Sequence, residues 1–185
     1  MIHSSYAVVT VLPELVLAVG ALGLLMLGVF LGDRRSALIS WLTVGLLAVV
    51  GAIELCRQGP MAAFSGAFID DSFARFNKVL ALGASALSIV VARDFVTREA
   101  MDRFEFPILI ALSTLGMMML SSANDLIAFY LGLELMSLAL YVVAAFQRDS
   151  VRSTEAGLKY FVLGALSSGL VLYGASLIYG FSGTT

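Results

Sequence analysis

The sequence has 185 residues, of which 60% are hydrophobic and only 13% are charged, and its formal net charge is −2. With a mean hydropathy of +0.98, this composition excludes a soluble globular domain and a basic nucleic-acid-binding protein, and it indicates an integral membrane protein. The apolar runs are long and continuous, unlike the alternating strands of about ten residues in an outer-membrane barrel. We therefore predict a polytopic bundle of α-helices, an all-α fold.

Six helices are predicted to cross the membrane. A spanning helix needs roughly 18 to 20 apolar residues, and charge-free runs of that length occupy residues 15–32, 36–53, 106–124 and 160–185. A fifth run, 126–147, contains a single charge, and a sixth, 79–92, is long enough only if the mixed stretch before it joins the helix, with Arg75 and Lys78 reaching one membrane surface. We expect one transmembrane domain over residues 1–185, with helices at about 7–31, 36–55, 74–92, 105–122, 126–146 and 155–181.

The basic residues are distributed unevenly among the predicted loops. Seven arginines lie in loops 1–2, 3–4 and 5–6, whereas loop 2–3 and its end carry three basic residues. Because Lys and Arg are retained in cytoplasmic loops, both termini are predicted on the non-cytoplasmic side. The apolar N-terminal run lacks a basic n-region, so it is interpreted as a retained helix. Loop 2–3 fits either a short surface hairpin or an interfacial segment.

The residues that usually hold redox cofactors or metals are scarce. His3 is the only histidine and Cys56 the only cysteine, so we expect no haem, iron–sulfur or zinc site and no bound cofactor in this chain. The 17 glycines lie mostly inside apolar helices, where they favour close helix packing over phosphate binding.

A polar stripe marks the fifth predicted helix. Tyr130, Glu134, Ser137 and Tyr141 are the polar side chains before its end, and at 100° per residue they fall within a sector of about 60°. A central carboxylate facing lipid costs roughly 3 kcal/mol or more, so the stripe is expected to face the protein interior or water. Glu134 is thus a candidate proton carrier, and a neutral Glu buried for packing alone is the alternative.

Other charges are less distinctive. Lys159 is predicted about 7 Å into the sixth helix, whereas Glu134 is predicted roughly 19 Å from the cytoplasmic end of the fifth, so no direct salt bridge is expected. Lys159 either reaches the cytoplasmic interface or takes part in proton transfer. Glu14 and Glu54 lie near helix ends and are expected at the membrane surface.

Several segments together closely resemble subunit N of bacterial NADH–quinone oxidoreductase. They are SSANDL at 121–126, YLGLELMSL at 130–138, EAGLKYF at 155–161 and GALSSG at 164–169, with LPEL at 12–15 and DSFARF at 71–76 upstream. The resemblance extends over nearly the whole chain.

The resemblance implies a proton-translocating, antiporter-like subunit in the membrane arm of respiratory complex I, in a bacterial inner membrane. NAD(H), FMN, iron–sulfur clusters and quinone would belong to partner subunits, and the chain would do no redox chemistry itself. Glu134 and Lys159 would transfer protons, with Tyr130, Ser137 and Tyr141 in support. The family has about fourteen helices, so six would represent its N-terminal part, as a fragment or a split subunit.

Two other functions remain open. A sodium–proton antiporter subunit would share the fold and the central Glu. A structural membrane scaffold would have no functional need for the carboxylate of Glu134.

Overall fold

The computed structural model describes residues 8–57, 59–99 and 101–184. Within them, six helices are long and apolar enough to cross a membrane, which confirms the predicted polytopic helical fold. They are α1 Leu12–Leu31, α2 Ser36–Cys56, α3 Ser72–Arg98, α4 Glu105–Ser122, α5 Leu126–Ala144 and α6 Val151–Ser182. Residue 7, where the first helix was predicted to begin, lies outside the described residues.

Two helices begin earlier than predicted because side chains cap them. The carboxylate of Asp71 accepts a hydrogen bond from the Ala74 amide at 2.7 Å, so α3 starts at Ser72 rather than at 74. The Ser150 hydroxyl accepts a bond from the Ser153 amide at 3.4 Å, so α6 starts at Val151 rather than at 155. α3 also continues to Arg98, beyond the predicted end at 92, because hydropathy alone places the limit at the first charges.

α4 is the central helix of the bundle, since it packs against α1, α2, α3 and α5. The main core consists of fully or nearly buried apolar side chains from the first four helices. Its largest members are Leu17, Leu47, Leu82, Ile89, Leu115 and Met118. α6 packs chiefly on α5 and leaves most of its surface uncovered within the described structure.

Two glycines allow α4 and α5 to approach closely. A Cβ atom added to Gly116 would collide with the backbone of Met136, and one added to Gly132 would lie 2.9 Å from the Leu120 amide nitrogen. Backbone contacts of this kind require the small residues that are enriched where membrane helices meet. The level of Gly116 on α4 is thereby fixed opposite the turn of α5 that contains Glu134.

Loop 2–3 is a short hairpin, one of the two forms that the sequence left open. Strands β1 Met61–Ala63 and β2 Phe68–Asp70 pair antiparallel. The Asn124 amide donates to the Ala67 carbonyl at 2.9 Å, and the Asn124 side chain donates to the Gly66 carbonyl at 2.9 Å. These bonds attach the hairpin to the connection between α4 and α5, so both connections lie at the same end of the bundle.

Candidate functional site

Glu134 lies near the middle of α5, and its side chain is half-buried. One carboxylate oxygen, Oε1, is buried without a hydrogen bond among the described residues. An unsatisfied carboxylate oxygen in an apolar helix is unfavourable unless water, a proton or another group compensates it. The geometry therefore suits a group that exchanges a proton with water or with a neighbouring side chain.

The other members of the polar stripe have different surroundings. Tyr130 and Ser137 are half-buried one turn to either side of Glu134, at helical spacings that place neighbours on one face. Tyr141 is buried against α6, where its ring meets the rings of Tyr160 and Phe161 edge-on at centroid distances of 4.8 and 5.7 Å. Its surroundings are those of a packing residue that also lines a cavity of about 610 Å³ between α4, α5 and α6.

Lys159 is exposed on α6 and forms an ion pair with Glu155 one turn earlier, at 2.5 Å between Nζ and Oε1. Among the described residues, no ion pair joins it to Glu134. The side chains of Lys159 and Glu155 are 69% and 57% exposed, so Lys159 is neither buried nor paired with a member of the polar stripe among the described residues.

The observed helix ends correct the predicted depths of these two residues. α5 ends at Ala144, ten residues after Glu134, which places Glu134 roughly 15 Å from that end. α6 begins at Val151, eight residues before Lys159, which places Lys159 roughly 12 Å from the same side. Lys159 is thus almost as deep as Glu134, because the Ser150 cap lengthens α6 and α5 is shorter than predicted.

A second set of charged residues, which no motif in the sequence indicated as a site, lies at the hairpin end of the bundle. The Lys78 ammonium is completely buried and contacts three carboxylates from three different elements. Its Nζ lies 2.6 Å from Glu14 Oε1 on α1, 3.4 Å from Glu54 Oε1 on α2 and 3.1 Å from Asp70 Oδ1 on β2. We call Lys78, Glu14, Glu54 and Asp70 the Lys78 cluster.

Two arginines surround the Lys78 cluster. Arg75 Nε donates to Asp70 Oδ2 at 3.1 Å, and Arg75 also donates to the main-chain carbonyls of Arg57, Gly59 and Asp70. Arg57 lies 3.7 Å from Asp70 and 3.9 Å from Glu54. With these two arginines, three cations face three carboxylates, so the six groups together are neutral when every group is charged.

Glu14 and Glu54 lie near helix ends, as predicted, but they are enclosed by the protein and only 3% and 1% exposed. The first three helices converge at this end, and the hairpin covers it, so that residues near helix ends are enclosed. Lys78 likewise does not reach the surface. The carboxylates and the lysine lie far apart in sequence, so no local pattern reveals the cluster. The sequence indicated it only through a charged residue without an obvious partner in each of the first three predicted helices.

Comparisons with known proteins agree on one family. Residues 123–185 match the family model described as "NADH:quinone oxidoreductase/Mrp antiporter, TM". The chain is 58% identical over 174 residues to "NADH-quinone oxidoreductase subunit N 1" of Rhizobium meliloti, covering 94% of this chain and 36% of the relative. It is 56% identical over 177 residues to subunit N of Rhodospirillum rubrum, with the same coverage of both chains.

A solved structure supports the same relationship. The chain superimposes with a TM-score of 0.78 and 33% identity on a chain of respiratory complex I from Thermus thermophilus with bound aureothin, covering 93% of this chain and 37% of that one. The chain thus spans about a third of the length of the proteins that it matches.

Proposed function

We propose that this chain, which belongs to the subunit N family of NADH–quinone oxidoreductase, forms part of a proton-translocating subunit in the membrane arm of that complex. The observation that carries the proposal is Glu134, a carboxylate in the middle of an apolar spanning helix with an oxygen that is buried and lacks a hydrogen bond among the described residues. Glu134 also lies within the segment that the family model matches.

In the proposed mechanism, Glu134 accepts a proton from water or a neighbouring group, becomes a neutral acid, and later releases the proton towards the opposite side. An ionised carboxylate at this depth is costly and a neutral one much less so, so the proton is held until a conformational change or a nearby charge favours release. Tyr130 and Ser137, one turn away on the same face, would orient the carboxylate or hold water beside it.

Lys159 is proposed as a second proton-transfer residue. Its depth, close to that of Glu134, supports this role, and its ion pair with Glu155 provides a partner from which it can separate. Tyr141 would support the stripe by fixing α6 on α5, because its ring packs directly against Tyr160 and Phe161.

The proposed partners are the other membrane-arm subunits of the oxidoreductase, in the inner membrane of a bacterium. NAD(H), FMN, iron–sulfur clusters and quinone would bind to partner subunits, which would perform the redox reaction. The names of the relatives support this assignment.

The test is Glu134→Gln in the full-length subunit within the assembled complex. We expect the variant complex to assemble normally. Inverted membrane vesicles that contain it should lose most of the proton uptake that accompanies each NADH oxidised. Glu99→Gln, which alters an exposed carboxylate after the end of α3, is the matched control and should pump normally. Normal pumping by the assembled Glu134→Gln complex would refute the role of Glu134.

A sodium–proton antiporter subunit is the second candidate, because the matching family model covers both classes of protein. The relatives at 53–58% identity, which are named as oxidoreductase subunits, favour the first. Purification of the native complex distinguishes them: quinone reductase subunits should accompany the chain, whereas other antiporter subunits would favour the alternative. A scaffold role predicts that Glu134→Gln leaves ion transport intact.

A further inference from the structure

Glu54 is the least compensated carboxylate of the Lys78 cluster. Its side chain is completely buried, and its oxygens, like those of Glu14, have no hydrogen bond among the described residues. Glu14, however, has an ionic contact of 2.6 Å with Lys78. The ionic contacts of Glu54 are long, 3.4 Å to Lys78 and 3.9 Å to Arg57, whereas a charge-assisted N–H···O bond is typically about 2.7–2.9 Å. A buried carboxylate with such contacts does not recover the free energy that its desolvation costs.

The neighbouring cations compensate Glu54 poorly, because their shortest contacts are with other groups. Lys78 is closest to Glu14 and Asp70. Arg57 donates to the carbonyls of Thr10 and Val9 at 2.9 and 2.5 Å.

The remaining charged groups of the cluster are also engaged away from Glu54. Asp70 receives bonds from both Arg75 and Lys78, and Arg75 otherwise bonds to main-chain carbonyls. Although the six groups are neutral together, the negative charge of Glu54 is therefore poorly compensated by the cations around it.

We propose that Glu54 binds an exchangeable proton, which makes the Lys78 cluster a second protonation site in this chain, distinct from Glu134. Binding takes one proton from solution and converts the Glu54 carboxylate to a carboxylic acid, and the charge of the six groups rises by one. Apart from the new O–H bond at Glu54, the protein undergoes no net change in bonding. This inference does not rest on the function proposed for Glu134.

A cavity adjoins the Lys78 cluster at Glu14, and we infer that it is the route by which the proton enters. A space of about 500 Å³ extends between α1, α5 and the hairpin, and Glu14 forms part of its wall together with Ala18, Phe64, Asp125 and Leu131. Glu14 shares the Lys78 ammonium with Glu54. In the route that we infer, Glu14 takes a proton from water, Lys78 transfers one of its protons to Glu54, and Glu14 passes its proton to Lys78, so the ammonium and the Glu14 carboxylate are restored.

The principal test compares two neutral, isosteric substitutions in the assembled complex. Glu54→Gln reproduces the shape of a protonated Glu54, so we expect assembly at the wild-type level. Asp70→Asn removes a carboxylate that three cations contact, so we expect assembly to fall several-fold. If Glu54→Gln abolishes assembly as Asp70→Asn does, the carboxylate of Glu54 must be ionised and the proposal is wrong.

Infrared spectroscopy provides a direct measurement. The wild-type spectrum minus that of Glu54→Gln should contain the C=O stretching band of a protonated carboxyl group, shifted to lower frequency in D₂O. Glu134→Gln should retain this band even if it abolishes pumping, which separates this proposal from the preceding one. A difference spectrum without such a band across the pH range in which the complex is stable would overturn the proposal.

The route is tested by filling the cavity. Ala18→Phe places a ring one turn from Glu14. We expect it to slow several-fold the exchange of the Glu54 proton for deuterium, measured as the rate at which the C=O band shifts after transfer to D₂O. Ala52→Phe, the same change on an exposed face of α2, is the control and should leave the rate unchanged. Equal exchange rates in both variants would rule out the cavity as the route.

Discussion

Lys78 and Lys159 show how strongly the surroundings of an ammonium group determine its contribution to stability. Both form ion pairs at short distance, but Lys78 is fully buried among three carboxylates, whereas Lys159 pairs with Glu155 in an exposed position. Removing one member of a buried ionic cluster leaves uncompensated charge in a medium of low polarity. The pair of Lys159 and Glu155 is a single ion pair, so removing its lysine leaves one carboxylate without a partner rather than three.

We therefore predict that Lys78→Met destabilises the subunit by about 3–5 kcal/mol and that Lys159→Met, which deprives only one carboxylate of its partner, has a smaller effect. The measurement is the yield of assembled complex, together with its half-life at elevated temperature. Lys159→Met serves as the control, since it removes the same charge. Equal yields and half-lives for the two variants would contradict the importance of the Lys78 cluster.

Glu134, the Lys78 cluster and Lys159 differ in how well they can be predicted from the sequence. Glu134 could be predicted as a candidate because its polar neighbours recur at helical spacing within one segment. The Lys78 cluster could not, because it forms only when α1, α2, α3 and β2 meet, and each contributes one charge that looks like an ordinary helix-end residue. The depth of Lys159 was misjudged because the Ser150 cap extends α6, a local detail that hydropathy does not report.

At the level of elements, the contact between α4 and α5 determines which side chains surround Glu134. Gly116 and Gly132 bring the two backbones together, and the predicted role of intrahelical glycines in packing is confirmed at these two positions. Other glycines, such as Gly83 on α3, have nothing within 4 Å of an added Cβ. The sequence predicted the general role, but the partner helix of each glycine depends on the tertiary arrangement.

Gly132→Ala should separate α4 from α5, because its new methyl group would lie 2.9 Å from the Leu120 amide nitrogen and 3.2 Å from the Gly116 carbonyl oxygen. We expect a loss of about 1–3 kcal/mol, typical of overpacking, and reduced pumping as the surroundings of Glu134 shift. The assembled fraction and the protons moved per NADH are the readouts. Gly83→Ala is the control and should be neutral or slightly stabilising; a comparable loss there would show that the effect is not one of helix contact.

At the scale of the whole molecule, the connections divide into two groups. The hydrogen bond between Ser36 and Asp102, 2.7 Å long, brings loops 1–2 and 3–4 to one end. The bonds from Asn124 to Ala67 and Gly66 bring loops 2–3 and 4–5 to the other. The basic residues at the hairpin end, Lys78, Arg57 and Arg75, all pair with carboxylates. The seven arginines of loops 1–2, 3–4 and 5–6 lie at the opposite end, so that end carries more basic residues.

This charge distribution predicts that the hairpin faces the non-cytoplasmic side, because free basic residues favour cytoplasmic retention. In a cysteine-free background of the full-length subunit, which includes Cys56→Ser, a membrane-impermeant maleimide added to intact spheroplasts should label Ala62→Cys in the hairpin but not Asp149→Cys in loop 5–6. Both positions are exposed, so a difference in labelling reports sidedness rather than burial. Inside-out vesicles should give the opposite result. Labelling of Asp149→Cys from outside would show that the predicted orientation is wrong. The cavity beside Glu14 would then face the cytoplasm, and protons would reach Glu54 from that side.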